Sequence, residues 1–261
     1  MNGNLSRPLT LGSVPYTVGA PLLAGLESNP GLELVRALPS RLIEDLRRGR
    51  LEGALVSSIE AFRRPGYFAA RDLGIAATGP VRSVRLFLRT DPSEVRTLAA
   101  DLASETSVVL ARILLARRFG AGPITLSRID ATLRPSDIDA DAVLLIGDKG
   151  ASAEAGGRRI LDLGEAWHEW RGLPFVFALW LFRTEEPRAR AAIAHLMEAW
   201  RRGRREGILD GVGGRIEHRL EPRHHRGLED FARLAAESGL CGGEIRPTWL
   251  AAETSAATPP S

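Results

Sequence analysis

The sequence predicts an α/β fold, and three observations carry that expectation. Apolar strand candidates alternate with helix signals from residue 9 onward. Ala142-Val143-Leu144-Leu145-Ile146 is a continuous apolar run closed by Gly147-Asp148, the pattern of a central parallel strand with a loop at its C-terminal end. Gly79-Pro80-Val81-Arg82-Ser83 marks a turn before the strand residues Val84, Leu86 and Phe87, and after it the pattern starts afresh.

Taken in order, Leu9 to Val14 alternates as a first strand, and Tyr16 to Gly19 loops into a helix over Pro21 to Glu27. Leu32 to Leu38 repeats with period 2. Pro39-Ser40 then starts a helix with Leu42, Ile43 and Leu46 at helical spacing and Gly49 as its stop. Ala54 to Ile59 reads as a third strand, Leu73 to Ala76 as a short fourth, and Thr97 to Leu102 as the first strand candidate beyond the turn. Ser104-Glu105-Thr106-Ser107 reads as a cap for an amphipathic helix over Val108 to Phe119, which Gly120 to Pro123 ends. Leu163 to Pro174 should be a short helix or turn. Phe175 to Phe182 is apolar throughout, as expected of a strand buried on both faces. Helices follow over Glu186 to Glu206 and Leu228 to Ser238, and residues 251–261 read as a disordered tail.

Composition bounds the function. The chain has 261 residues, 44% hydrophobic and 26% charged, enough for one large domain or two lobes. No apolar run reaches the roughly 18 residues of a spanning helix, and the first eight residues lack the apolar core of a secretory signal. A cytoplasmic protein without membrane partners is therefore expected. The 35 basic and 32 acidic residues leave a net charge of only +3, weak support for nucleic acid. Lys149 is the only lysine, and an arginine fork suits a small carboxylate. Cys241 is the only cysteine, so neither an intrachain disulfide nor a Cys-ligated metal cluster is available.

The motif search narrows the chemistry. His168, His195, His218, His224 and His225 include no pair at i, i+4 spacing and no HExxH, so no metal site is expected. No GxxxxGK[ST] occurs, and Gly211-Val212-Gly213-Gly214 follows a helix and reads as a turn. Arg201-Arg202-Gly203-Arg204-Arg205 reads as a solvated helix end, where cations are favoured. What remains is a set of small polar residues at strand ends and helix starts: Tyr16 and Thr17, Ser57 and Ser58, Thr78 and Ser83, Ser104, Thr106 and Ser107, then Gly147 and Asp148. Hydroxyls and backbone amides so placed make a cleft for a small anion, with the helix start at Ser104 to Ser107 adding a favourable dipole.

Four stretches taken together resemble the chorismate dehydratase family of the futalosine route to menaquinone. They are Gly79 to Val84, Ser104 to Val108, Leu144 to Asp148, and the block from Asp162 through Trp167-His168-Glu169-Trp170 to Ala178. The resemblance runs from about residue 9 to residue 240 with the motifs in family order. It implies a two-lobed fold like the type II periplasmic binding proteins, with an interlobe ligand cleft. Lobe 1 would comprise residues 1–86 and 180–250, and lobe 2 residues 87–179. It also implies a hydro-lyase that converts chorismate to 3-[(1-carboxyvinyl)oxy]benzoate with no metal and no cofactor. Ser83 matches the family's motif serine and is the expected catalytic residue. Tyr16, Val18, Ser57, Ser58, Ser104, Thr106, Ser107, Gly147 and Asp148 are the expected substrate contacts. The chain departs from the family at Val18, where an asparagine is usual, and at Ala103 and Glu105, where a hydroxyl residue and an arginine are usual. A carboxylate-binding protein of the same fold, impaired in catalysis, is the alternative.

Overall fold

This computed structural model of the chain describes residues 7–101, 104–129, 133–208 and 214–251. The first sheet begins with strands β1 (Leu9–Ser13), β2 (Leu32–Arg36), β3 (Gly53–Ser57) and β4 (Phe68–Ala77), with helix α1 (Pro39–Arg47) before β3. The second sheet comprises β5 (Val84–Leu88), β6 (Thr97–Ala100), β7 (Thr125–Arg128), β8 (Ala142–Ile146) and β9 (Arg159–Asp162). Helices α2 (Glu105–Ile113) and α3 (Gly147–Ser152) lie within this span, and α4 (Leu163–Arg171) closes it. The chain then returns to the first sheet with β10 (Phe175–Phe182), α5 (Glu186–Arg205), β11 (Ile216–Arg219), α6 (Pro222–Glu237) and β12 (Thr248–Leu250).

The strand orders are β11-β4-β10-β3-β1-β2, with β12 also on β4, and β7-β6-β8-β5-β9. In the first sheet β1 runs parallel to β2 and β3, while β10 lies antiparallel between β3 and β4. Seven of the eight β10 residues are buried, as expected for a strand covered on both faces, and only Ala178 is half-buried. The strand β8 is central as expected, but parallel to β6 only; its other neighbour, β5, is antiparallel.

The chain therefore passes between sheets twice, at residues 78–83 and again at residues 172–174. The lobe boundaries expected at 86/87 and 179/180 fall inside β5 and β10, whose every residue belongs to a single sheet. The earlier connection is the Gly-Pro turn; the later is Gly172-Leu173-Pro174, also a turn sequence.

Other expectations shift for local reasons. The helix expected over Pro21 to Glu27 is instead two 3-10 stretches, Thr17–Leu23 and Leu26–Ser28, because Pro21 removes a backbone donor. The strand expected to reach Ile59 stops at Ser57, and Ser58–Phe62 turns as a 3-10 segment. Helix α2 starts at Glu105, with the Ser104 side chain capping its first turn, and continues as a π-helical turn over Leu114–Arg118. Helix α6 starts six residues before its apolar face, because Pro222 sits at its first position and Glu221 and His224 form a capping box. The expected tail, Ala103 and Gly211 to Gly213 lie outside the described residues, apart from Ala251.

One core runs through both sheets. At its centre Trp167 of α4 meets Phe175 of β10 edge to face at 5.3 Å, and Phe231 of α6 meets Phe175 at 4.9 Å. Trp167, Phe175 and Phe231 are essentially inaccessible, so these contacts bring the packing energy of three large aromatics to the joint between the lobes. The Trp-His-Glu-Trp block is thus a packing element beside the second crossover.

Candidate active site

A cleft lies between the sheets, enclosing about 600 Å³ with its open mouth included. Its wall on the first lobe comes from Val14, Tyr16 and Val18 after β1, from Leu55 to Ser57 at the end of β3, and from Ile75, Phe177 and Ile216. Its other wall comes from Val81, Ser83 and Val84 at the first crossover, Ser104 and Ser107 at the start of α2, and Ile146 and Gly147 at the end of β8. Most of this surface is apolar, with a few hydroxyls placed among it, the usual make-up of a small-molecule site.

Seven of the ten expected residues line the cleft: Ser83, Tyr16, Val18, Ser57, Ser104, Ser107 and Gly147. Among the described residues, the hydroxyls of Tyr16, Ser57 and Ser83 have no protein hydrogen-bond partner; Ser83 is only 7% exposed and Ser57 4%. None of the three oxygens is sealed from solvent, so each is open to a ligand or water in the cleft. Ser104 and Ser107 face each other at 2.9 Å, and the Ser104 oxygen accepts from the Ser107 backbone amide at 3.3 Å. The positive end of α2 therefore opens onto the cleft.

Three expected contacts are placed elsewhere. Ser58 and Thr106 are fully buried behind the wall, where they tie the lobes together. The Ser58 hydroxyl donates to the Val176 carbonyl at 2.7 Å and lies 3.3 Å from the Thr106 hydroxyl, which accepts from the Ile59 amide at 3.1 Å. Their bonding capacity is spent on the joint, which removes them from the cleft surface. Asp148 sits at the mouth and accepts from the Thr17 hydroxyl at 3.2 Å, bridging the lobes across the opening.

Tyr16 and Gly147 meet at the same mouth. Gly147 has φ +63°, and a Cβ on it would stand 3.0 Å from Cδ1 of the Tyr16 ring. Glycine is required there twice over, by backbone conformation and by contact. The Tyr16 phenol is pushed up to about 12, mainly by burial and then by the charges of Asp101 and Asp148, so it is a hydrogen-bond donor across the ordinary pH range.

The two departures near the cleft have different consequences. Val18 lines it, and its carbonyl accepts from His218 of β11 at 2.7 Å. Burial holds the His218 ring below its usual pKa, so near neutral pH it is uncharged and its Nε2 hydrogen anchors the first loop. Glu105 does not line the cleft. Its carboxylate pairs with Arg63, its side chain is 48% exposed, and Arg63 also donates to the Leu240 carbonyl at 3.3 Å.

Several groups were overlooked in the sequence. Ile216 and His218 belong to β11, whose alternation over Ile216 to Leu220 between Gly214 and Pro222 was a usable strand signal. Asp162 opens the block that resembles the family. As an Asp directly before Leu163 it also carries a helix-cap signal.

Two lobes joined by short crossovers, with hydroxyls at strand ends and a helix start turned toward a shared cleft, define a periplasmic-binding-protein-like fold. The periplasmic aliphatic sulphonate binding protein SsuA of Escherichia coli matches it with a TM-score of 0.60 at 14% identity, over 92% of this chain and 95% of that one. Sequence comparison goes further: the chain belongs to the family described as "Menaquinone biosynthesis", whose profile matches residues 9–210. It is 33% identical over 220 residues to the chorismate dehydratase of Thermus thermophilus, covering 77% of this chain and 78% of that protein. To the chorismate dehydratase of Campylobacter jejuni it is 32% identical over 164 residues, covering 62% of this chain and 58% of that protein.

Proposed function

We propose that this chain is a chorismate dehydratase, removing water from chorismate to give 3-[(1-carboxyvinyl)oxy]benzoate on the futalosine route to menaquinone. The observation that carries the reading is the convergence on one cleft of the unpartnered Tyr16, Ser57 and Ser83 hydroxyls and the start of α2, in a chain of this family. The relatives' biosynthetic role supports a cytoplasmic location.

The reaction breaks a ring C–O bond and a neighbouring ring C–H bond. The C–H electrons enter the ring, hydroxide departs, and the abstracted proton completes water, so the gain in aromaticity drives the step. Among the described residues lining the cleft there is no carboxylate, imidazole or lysine, and Tyr16 is held protonated. The base is either Asp148 at the mouth or the substrate's own side-chain carboxylate, and we favour the latter, which the cleft has only to hold near the ring proton. Ser83 donates to the departing hydroxyl, and the Ser104 to Ser107 turn receives a carboxylate through the helix start. Tyr16 donates a hydrogen bond from the mouth.

Incubating purified protein with chorismate and following the aromatic product by absorbance tests this. A rate no greater than the spontaneous background at high protein concentration rejects it. One observation favours a second reading, the presence of Val18 where the family carries asparagine: a binding protein that takes the same carboxylate without turnover. That reading predicts a raised melting temperature with chorismate and unchanged chorismate afterward.

A further inference from the structure

Asp162 ends β9 and precedes α4, and its carboxylate accepts from four backbone amides in two separate segments. Oδ1 receives Gly164 at 2.9 Å and Glu165 at 3.1 Å, in the first turn of α4. The same oxygen receives Val81 at 3.0 Å, and Oδ2 receives Arg82 at 2.6 Å, both in the first crossover. Capping accounts for two of these bonds, and the other two reach 80 residues back along the chain. The approach is close as well as polar: a Cβ on Gly164 would stand 2.6 Å from the Gly79 carbonyl oxygen and 3.2 Å from Cβ of Val81.

Arg82 has φ +59° and is the one described residue other than glycine with positive φ. An arginine side chain disfavours that conformation, so something must hold it there. The hydrogen bonds to Val81 and Arg82 do so, and the next residue is Ser83, whose hydroxyl faces the cleft. The left-handed step at Arg82 sets the direction in which the chain presents Ser83.

We propose that Asp162 is a positioning residue for Ser83: by holding Val81 and Arg82 it keeps Arg82 left-handed and aims the serine hydroxyl at the ligand. This rests on the proposed dehydration only for its kinetic readout. The α4 helix it caps leads directly into the second crossover, so one carboxylate ties both connections between the lobes.

The test is a double-mutant cycle with chorismate as substrate. Asp162→Asn keeps the shape but turns an amide NH₂ toward backbone donors, and kcat/KM should fall at least about tenfold. In a Ser83→Ala background the same change should cost less than about twofold, because its effect passes through the serine. Equal losses in both backgrounds, or a folded Asp162→Asn with unchanged kcat/KM, overturn the proposal. Should Asp162→Asn fail to fold, Arg82 separates the alternatives, since its backbone is what Asp162 holds. Arg82→Gly should retain activity and Arg82→Val should lose it, the β-branched side chain opposing positive φ; equal activity in the two overturns the proposal. A wild-type protein without turnover rejects the dehydratase reading and leaves the clamp to a second readout, amide hydrogen exchange. Exchange at Val81, Arg82 and Ser83 should accelerate in Arg82→Val but not in Arg82→Gly, and identical exchange in the two counts against it.

Discussion

Replacing Gly147 by alanine probes the mouth of the cleft most directly. Two costs add. A left-handed conformation costs a residue with a Cβ about 1 to 2 kcal/mol, and the new carbon would stand 3.0 and 3.1 Å from Cδ1 and Cε1 of Tyr16, a contact the ring can relieve only by moving. Overpacking of this kind costs about 1 kcal/mol or more, for a total of about 2 to 3 kcal/mol and a fall in Tm of about 4 to 12 °C. Calorimetry of Gly147→Ala, Tyr16→Ala and the double variant separates the two costs. Without the ring, the Gly147 change should cost about 1 kcal/mol less, leaving the backbone part alone. A Gly147→Ala protein as stable as the parent refutes the argument, and so does a cost indifferent to Tyr16.

Other substitutions have equally definite outcomes. Glu60 is buried between the Arg47 guanidinium, at 2.9 and 2.6 Å, and the Tyr67 hydroxyl at 2.8 Å. Glu60→Ala leaves the buried Tyr67 hydroxyl without its acceptor and the part-exposed Arg47 without its partner, and should cost about 1 to 3 kcal/mol, read as a lower urea midpoint. His218 is held below its usual pKa mainly by burial, with Arg204 adding to the effect and the Val18 carbonyl opposing it. The unfolded chain therefore takes up that proton at about pH 6.5 and the folded chain only at lower pH, so stability declines as pH falls below about 6.5 and levels off once the folded ring protonates. His218→Gln, tested by denaturant titrations from pH 7.5 to 4.5, should lessen that decline; His224, also lowered by burial, sustains part of it. Val18→Asn places an amide on the cleft wall and should change turnover of chorismate by tenfold or more in either direction. Glu105→Arg acts outside the wall, beside Arg63, so it should leave turnover within about twofold and cost under about 1 kcal/mol of stability.

The parts of the fold visible in the sequence are those where local chemistry and tertiary demand agree. The Ala142 to Ile146 run and the Phe175 to Phe182 run are apolar because both faces are covered, and both form strands at the expected positions. The edge strands of the second sheet were invisible: every residue of β7 is exposed, and β9 is exposed or half-buried, so neither carries an apolar alternation to detect. The site was legible wherever a small polar residue ended a strand or began a helix, as Ser57, Ser83 and Ser104 do. Position alone could not distinguish a hydroxyl facing the cleft from one bonded behind it, which is why Ser58 and Thr106 were grouped with the others. The apolar wall from Ile75, Phe177 and Ile216 was not legible, since nothing in an aliphatic residue tells a core contact from a ligand contact.

The antiparallel strand β10 fills the slot between β3 and β4, yet 97 residues, 78 to 174, separate it from the end of β4. All five strands of the second sheet lie on the intervening, uninterrupted stretch from β5 to β9. As the chain leaves the ribosome, the inserted lobe can complete its sheet while the outer lobe still has two open strand edges where β10 will go. Those edges are the surfaces on which a nascent chain would mispair. Assembly thus has a built-in order, inner lobe before outer. A released chain ending just before Phe175 should show protease protection of β5 to β9 while β1 to β4 are still cut.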